Sequence, residues 1–329
     1  MHPQRVWSRA VARMELAVLR LHERHWIRRW ARSVTEQVTG VVVLNWRDTG
    51  RTIECVRSLL EVFPPSSVMV LDNEATGALR EALRRFNPDI PVHEFRENRG
   101  FAGAMNTGIA LLEALGFSRI LVVNNDVVIN AHAIAPLLEP DILAENVILA
   151  APVLIEEGAR HSPASRLNPW TAAIRPLKQN EPADFLTWAC VLVDAEKFHT
   201  VGGLNESYFM YWEDVEFGYR CARAGLAQRV VEAASVHHAR SASHGNAGPR
   251  IDRYQALGLV VFGRSDWRVK FVGAPIRITV RIAKRLAQRR WVNALEVIRG
   301  VAVGLTLKEP AYTSSRVVPQ TITKPAEGK

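Results

Sequence analysis

The run Gly40-Val41-Val42-Val43-Leu44 lacks polar alternation, so it predicts a strand buried on both faces rather than one with a wet side. A helix carrying Ile53, Val56, Leu59 and Leu60 follows. Ser67-Val68-Met69-Val70-Leu71 then reads as a second strand ending on Asp72-Asn73. A helix from Leu79 to Phe86, a strand Pro91 to Phe95, a helix from Ala102 to Leu115 and a strand Ile120 to Val123 complete the series, and the last strand ends on Asn124-Asn125-Asp126. Alternation of strand and helix is the signature of an α/β fold with a mostly parallel sheet flanked by helices. A further apolar strand is expected from Gln228 to Glu232.

Both ends carry a different pattern. Trp7, Val11, Met14, Val18 and Leu21 recur at helical spacing among arginines. Ile278 and Ile282, then Trp291, Leu295, Ile298, Ala302 and Leu305, repeat this near the other end. The division that follows is a basic amphipathic helix over residues 1–38, an α/β domain over 39–249, a basic helical region over 250–308 and a polar, disordered tail over 309–329. The stripes are expected to dock on the parent domain, on a second copy of the chain or on an anionic membrane surface.

Charge sharpens that division. The chain of 329 residues has net charge +9, of which residues 1–38 carry +5, 250–308 carry +10 and 309–329 carry +1, leaving the middle at −7. An acidic main domain excludes nucleic acid as its ligand. Cys55, Cys190 and Cys221 are too few and too scattered for a disulfide framework and point to a reducing compartment. The first residues lack the apolar core of a signal peptide, and no apolar run is long enough to span a bilayer.

Ligands of open α/β sheets bind beyond the carboxyl ends of the strands, so Asp72 and Asp126 fall on one candidate edge. Asp126, preceded by two amides, suits a divalent cation held against a diphosphate, although the same triplet also suits an ordinary turn. Glu97 to Gly108 places small residues at the opening of a helix, where backbone can approach a phosphate. Its spacing is not that of a GxGxxG fingerprint. Tyr208 to Phe217 sets Glu213, Asp214 and Glu216 among aromatics; Asp214 is the chosen base, Glu216 reads as a helix-dipole acid, and Glu213 is open to either role. His237, His238 and His244 cluster further on, and one of them can complete a metal shell begun by Asp126.

Taken in order, these segments resemble glycosyltransferase family 2, especially its rhamnosyltransferase-like branch. The resemblance rests on Val41 to Trp46, Val70 to Asn73, Asn98 to Gly103 with Asn106 and Gly108, Asn124-Asn125-Asp126, Val201 to Glu206, Phe209 to Tyr211 with Glu213-Asp214, and His238 with Ser241 and Ser243. It implies a GT-A fold and an inverting transfer of a single sugar from a nucleotide-sugar donor, dTDP-rhamnose or a UDP-sugar. The acceptor it implies is a glycan or polyprenyl-linked hydroxyl at the cytoplasmic face of a membrane. It further implies donor binding by Asn45, Asp72, Asn106 and Asn125, acceptor binding by Trp188 and Glu213, Mg²⁺ or Mn²⁺ on Asp126 and His238, and Asp214 as general base. Arg99, Thr187-Trp188 and Asn205 depart from the family's usual residues. Gln288-Arg289-Arg290-Trp291 is one residue short of the QxxRW of processive synthases. A nucleotidyltransferase is the weaker rival, because Asn45-Trp46-Arg47-Asp48 replaces the expected Gly-rich loop. A catalytically inactive scaffold would be expected to have lost Asp126 or Asp214.

Overall fold

The computed structural model describes residues 39–74, 76–177, 181–239 and 248–307. The expected N-terminal helix, the tail, and Ser241, Ser243 and His244 lie outside these residues.

The first half follows the sequence pattern closely. β1 (Thr39–Asn45), β2 (Val68–Asp72), β3 (Val92–Glu94) and β4 (Arg119–Asn124) are parallel in the order β3-β2-β1-β4, and α1 (Thr49–Leu59), α2 (Ala78–Phe86) and α3 (Gly100–Ala114) cross over between them. Alternate strand residues serve opposite layers. Val42, Met69, Leu71 and Val122 pack toward α3, whereas Val41, Val43, Val70 and Val123 pack toward α1 and α2, so each strand is apolar on both sides. Asp48 caps α1 by accepting from the Arg51 backbone N–H at 3.0 Å.

The second half departs from a mostly parallel sheet. After β5 (Val127–Val128) and the short α4 (Ala131–Ile134), β6 (Val147–Glu156) and β7 (Ala159–His161) form a hairpin. A separate three-stranded sheet is built from β8 (Ala164–Asn168), β9 (Ala173–Pro176) and β10 (Phe185–Leu186). β11 (Cys190–Asp194) then enters the main sheet antiparallel to both β4 and β6. α5 (Ala195–Val201) and α6 (Glu213–Arg223) precede β12 (Ala227–His238), which runs parallel to β6 and antiparallel to β5. The sheet is therefore mixed. β12 is also longer than the expected Gln228 to Glu232, because the register shifts between Val231 and Ser235 and the strand resumes beyond the break. His237 and His238 thus lie on the strand rather than after it.

α7 (Arg250–Phe262), a π turn over Val269–Gly273, α8 (Ala274–Ala287) and α9 (Trp291–Thr306) form the C-terminal helical region. Docking of the apolar stripe of α9 on the parent domain is not what occurs. Ala294, Val297, Gly300 and Gly304 are the buried face, and the missing side chains at Gly300 and Gly304 let α9 approach the Arg253 carbonyl and Val260 of α7. Glu296 fastens the contact through Arg253 of α7 and also accepts from Arg299 on its own helix. Trp291, Leu295, Ile298 and Leu305 face outward. Helical spacing identified the stripe but could not say which face the neighbour selects, and here the small residues permit the closer packing.

A side chain at Gly300 collides with backbone, which cannot yield as a side chain can. Gly300→Val is expected to destabilise the protein by about 1 to 3 kcal/mol in urea titration, whereas Ala302→Val on the exposed side is expected to stay within about 0.5 kcal/mol.

Candidate functional site

The register Asn45↔Asp72 aligns the carboxyl ends of β1 and β2, and Leu44↔Asn124 brings in the end of β4. A line of hydrogen bonds crosses all three. Asn125 Nδ2 donates to Thr52 Oγ1 at 3.0 Å, Thr52 Oγ1 donates to Asn45 Oδ1 at 2.7 Å, and Asn45 Nδ2 donates to Asp72 Oδ1 at 2.8 Å. The Glu74 backbone N–H also donates to Asp72 Oδ1, at 3.1 Å. Asp72 Oδ2 is left buried with no hydrogen-bond partner among the described residues. Asn45 and Asn125, expected to touch a donor, are thereby engaged in orienting Asp72, and Asn45 is fully buried. Thr52 had no signal in the sequence beyond its place in the first turn of α1.

Asn73 extends this edge to the helix that follows β3. Its Nδ2 donates to the Gly100 carbonyl at 3.0 Å, and its Oδ1 accepts from the Arg99 N–H at 3.1 Å. Gly100 has φ of +66°, and a Cβ there would strike the Phe209 carbonyl, which also accepts from the Phe101 N–H at 2.9 Å. Only glycine fits both the left-handed backbone and that approach. Arg99, the departure from the family pattern, pairs with Glu206 at 3.2 Å. Asn106 donates to Glu206 at 3.0 Å and both donates to and accepts from the Leu204 backbone at 2.8 Å. Its amide is thus used to hold the 204–206 loop against α3 rather than held open for a ligand.

β12 pairs with β5 so that His238 stands opposite Val127, and the Ala239 N–H donates to the Asp126 carbonyl at 2.9 Å. This pairing sets His238 Nε2 3.5 Å from Asp126 Oδ1, which is buried and without a hydrogen-bond partner among the described residues. Glu156, at the end of β6, holds the other ring nitrogen, Nδ1, at 2.8 Å. Burial acts to lower the His238 pKa, but the Asp126 and Glu156 carboxylates outweigh it and raise it. Among the described residues no group of three or more His, Cys, Asp or Glu is arranged to hold a metal ion. The unsatisfied Asp126 oxygen and an imidazole nitrogen oriented by a carboxylate nevertheless fit a divalent cation that takes its remaining ligands from a diphosphate and water.

The third group begins at a strained turn. Tyr211 and Trp212 have φ of +69° and +75°, two consecutive non-glycine residues in the left-handed region directly before α6. Packing holds them there. The Trp212 ring lies against Phe262 at 5.5 Å and over Gly258, and its Nε1 donates to Gln255 Oε1 at 3.2 Å. Glu213 follows, buried, with Oε2 lacking a hydrogen-bond partner among the described residues. Burial first and the Asp214 charge second raise its pKa well above the usual range. Asp214 is half-buried and accepts from the Val215 N–H at 2.8 Å; burial lifts its pKa to about 6 despite that hydrogen bond. Glu216 is bound at both oxygens by Arg220, which also grips the Val201 and Gly203 carbonyls. It is therefore a structural clamp. Trp188, expected at an acceptor, is enclosed by Phe101, Phe198 and Phe217 with ring centroids 5.5 to 6.3 Å away, and does not present its ring to a ligand.

An aspartate whose folded pKa lies above its unfolded one weakens the fold when ionised. The penalty is absent below about pH 4 and complete above about pH 6. Asp214→Asn is therefore expected to raise stability by roughly 1 to 3 kcal/mol at about pH 8, with the gain shrinking toward about pH 4, as read from urea titrations at the two pH values.

This arrangement has recognisable relatives. The family described as Glycosyltransferase like family 2 matches residues 37–248. Over 251 residues the chain is 31% identical to an N-acetylglucosaminyl-diphospho-decaprenol L-rhamnosyltransferase of Mycobacterium tuberculosis, covering 66% of this chain and 80% of the relative. Over 197 residues it is 29% identical to the low-salt glycan biosynthesis hexosyltransferase Agl10 of Haloferax volcanii, covering 57% and 62%. A solved structure of GalNAc-T7 with UDP, GalNAc and Mn²⁺ superposes with a TM-score of 0.51 at 12% identity, covering 71% of this chain and 52% of that one, a likeness of fold. With the mixed sheet of a GT-A fold and a match across most of its length, the chain belongs to glycosyltransferase family 2 and is a glycosyltransferase.

Proposed function

We propose that the protein transfers a single sugar, with inversion, from a nucleotide-sugar donor to an acceptor hydroxyl, using Mg²⁺ or Mn²⁺. The observation that carries the reading is the pairing of β5 with β12, which turns the buried, unsatisfied Asp126 oxygen and His238 Nε2 toward one another at the carboxyl edge of the sheet. A bound divalent cation would supply charge neutralisation on the departing diphosphate.

This chain's own residues account for the rest. Asp72 offers a buried, unpaired carboxylate oxygen at the adjoining strand end, suited to a ring N–H of the nucleotide base. Asp214 takes the proton from the acceptor hydroxyl as that oxygen attacks the anomeric carbon. The bond from that carbon to the diphosphate oxygen breaks, and its electron pair leaves with the nucleoside diphosphate. A single displacement from the opposite face inverts the centre. Glu213, with its pKa raised by burial and by its charged neighbour, is suited to donate a hydrogen bond to the acceptor.

The mycobacterial relative's name specifies L-rhamnose and a decaprenyl-diphosphate-linked acceptor. dTDP-rhamnose, with a UDP-sugar as the other donor to try, and a polyprenyl-diphosphate-linked glycan are accordingly the substrates proposed here. GalNAc-T7 carries UDP and Mn²⁺ in its structure, which supports trying Mn²⁺ first.

Thermal-shift titration with nucleoside diphosphates and nucleotide sugars is expected to show binding of one nucleotide that strengthens at least about tenfold with Mn²⁺ and loses that increment in Asp126→Ala. Binding equally strong without metal would contradict the role of Asp126. With an acceptor in hand, kcat/KM is expected to rise with pH to a plateau above about 6, where Asp214 is ionised. Asp214→Asn is expected to lower it by about a hundred- to ten-thousandfold while adding one sugar remains the only product of the wild type.

A further inference from the structure

The C-terminal helices leave a large apolar surface outside the core. Trp267, Phe271, Trp291, Leu295, Ile298 and Leu305 are between 45% and 70% exposed, which is unusual for six large apolar side chains within one short region. They are ordered rather than scattered. On α9, Trp291, Leu295, Ile298 and Leu305 form one outward stripe opposite the glycine face that binds α7. On the neighbouring α8, Ile276, Val280, Ala283 and Ala287 are exposed at the same helical spacing.

The charges beside this surface are all of one sign. Residues 250–307 contain three acids, and each is buried and committed to arginine: Asp252 to Arg281 and Arg285, Asp266 to Arg268, and Glu296 to Arg253 and Arg299. Lys270, Arg277, Lys284, Arg289 and Arg290 are exposed and have no carboxylate partner among the described residues. A second copy of the same face would meet this charge with like charge. The N-terminal segment 1–38, at net +5, would do the same.

We infer that the outer face of α8 and α9 docks on an anionic lipid surface, with the aromatic and aliphatic stripe entering the interface and the cations meeting lipid phosphate. Cationic residues interleaved with an apolar stripe and exposed tryptophans are what interfacial binding requires. Neither helix is long and apolar enough to cross a membrane, so each lies along the surface. The face is linked to the catalytic end. Trp212, which precedes Glu213 and Asp214, lines a small cavity together with Arg277 and Ile278 of α8. The inference goes beyond the transferase reading, since lipid binding of this kind needs neither donor nor acceptor.

The test is sedimentation of the full chain with vesicles of phosphatidylcholine alone or with about one-third phosphatidylglycerol, compared with two triple variants. One is Trp291→Ser, Leu295→Ser, Ile298→Ser; the other is Lys284→Glu, Arg289→Glu, Arg290→Glu. The wild type is expected to favour the anionic vesicles at least about tenfold, and each variant to lose at least about tenfold in partition, with unchanged thermal melting and unchanged nucleotide binding. Since the replaced residues are exposed, folding is expected to survive, and the charge variant decides the matter if the apolar one does not fold. Wild type and variants binding alike would move membrane contact elsewhere in the chain and overturn the inference. So would an absence of wild-type binding, or a dimer in light scattering that the apolar variant dissociates.

Discussion

The pairing of β12 with β5 is the contact on which the candidate site depends. It is a short antiparallel ladder, and it joins the end of the last strand among the described residues to β5, just past the turn that follows β4. Without it, Asp126 sits alone beyond a strand and His238 has no reason to face it. With it, two side chains far apart in sequence meet at a separation fixed by backbone hydrogen bonds, and Glu156 on the neighbouring strand holds the ring. β-Sheet register is a precise instrument for this purpose, because a slip of one residue would turn His238 to the opposite face.

The other candidate groups are positioned by different means. Asp72 is held by a relay of small polar side chains across three strand ends, so its orientation depends on Asn45, Thr52 and Asn125 together. Asp214 is positioned by backbone strain at Tyr211 and Trp212, sustained by packing against α7. Register, relay and strain are three ways to fix a side chain. The strained one leaves the carboxylate half-buried with a raised pKa, at a cost in stability that an isosteric amide would not incur.

Legibility in the sequence varied with how local the cause was. β1, β2 and β4 were readable because strands buried on both faces are written as unbroken apolar runs rich in β-branched residues. β12 was read only in part, because its register shift interrupts the run at Glu232, Ala233 and Ala234. Asp72, Asp126 and Asp214 were visible as carboxylates placed at element ends. The roles of Asn45 and Asn106 as internal supports were not, because an amide's partners are set by tertiary neighbours such as Thr52 and Leu204 that no spacing reveals. The enclosure of Trp188 and the outward turn of the α9 stripe escaped for the same reason: periodicity defines faces, and the neighbours choose among them.

The packing around Trp212 bears on where the working unit of this protein ends. The matched family domain ends at residue 248, yet Gln255, Gly258 and Phe262, which keep Trp212 in its left-handed conformation, all lie past that point. The boundary of the matched domain and the boundary drawn by mechanics are thus different. A helix outside the matched domain acts as a splint for Trp212, two residues before the proposed base Asp214, so divergence in that helix would shift this carboxylate without touching any motif of the matched domain.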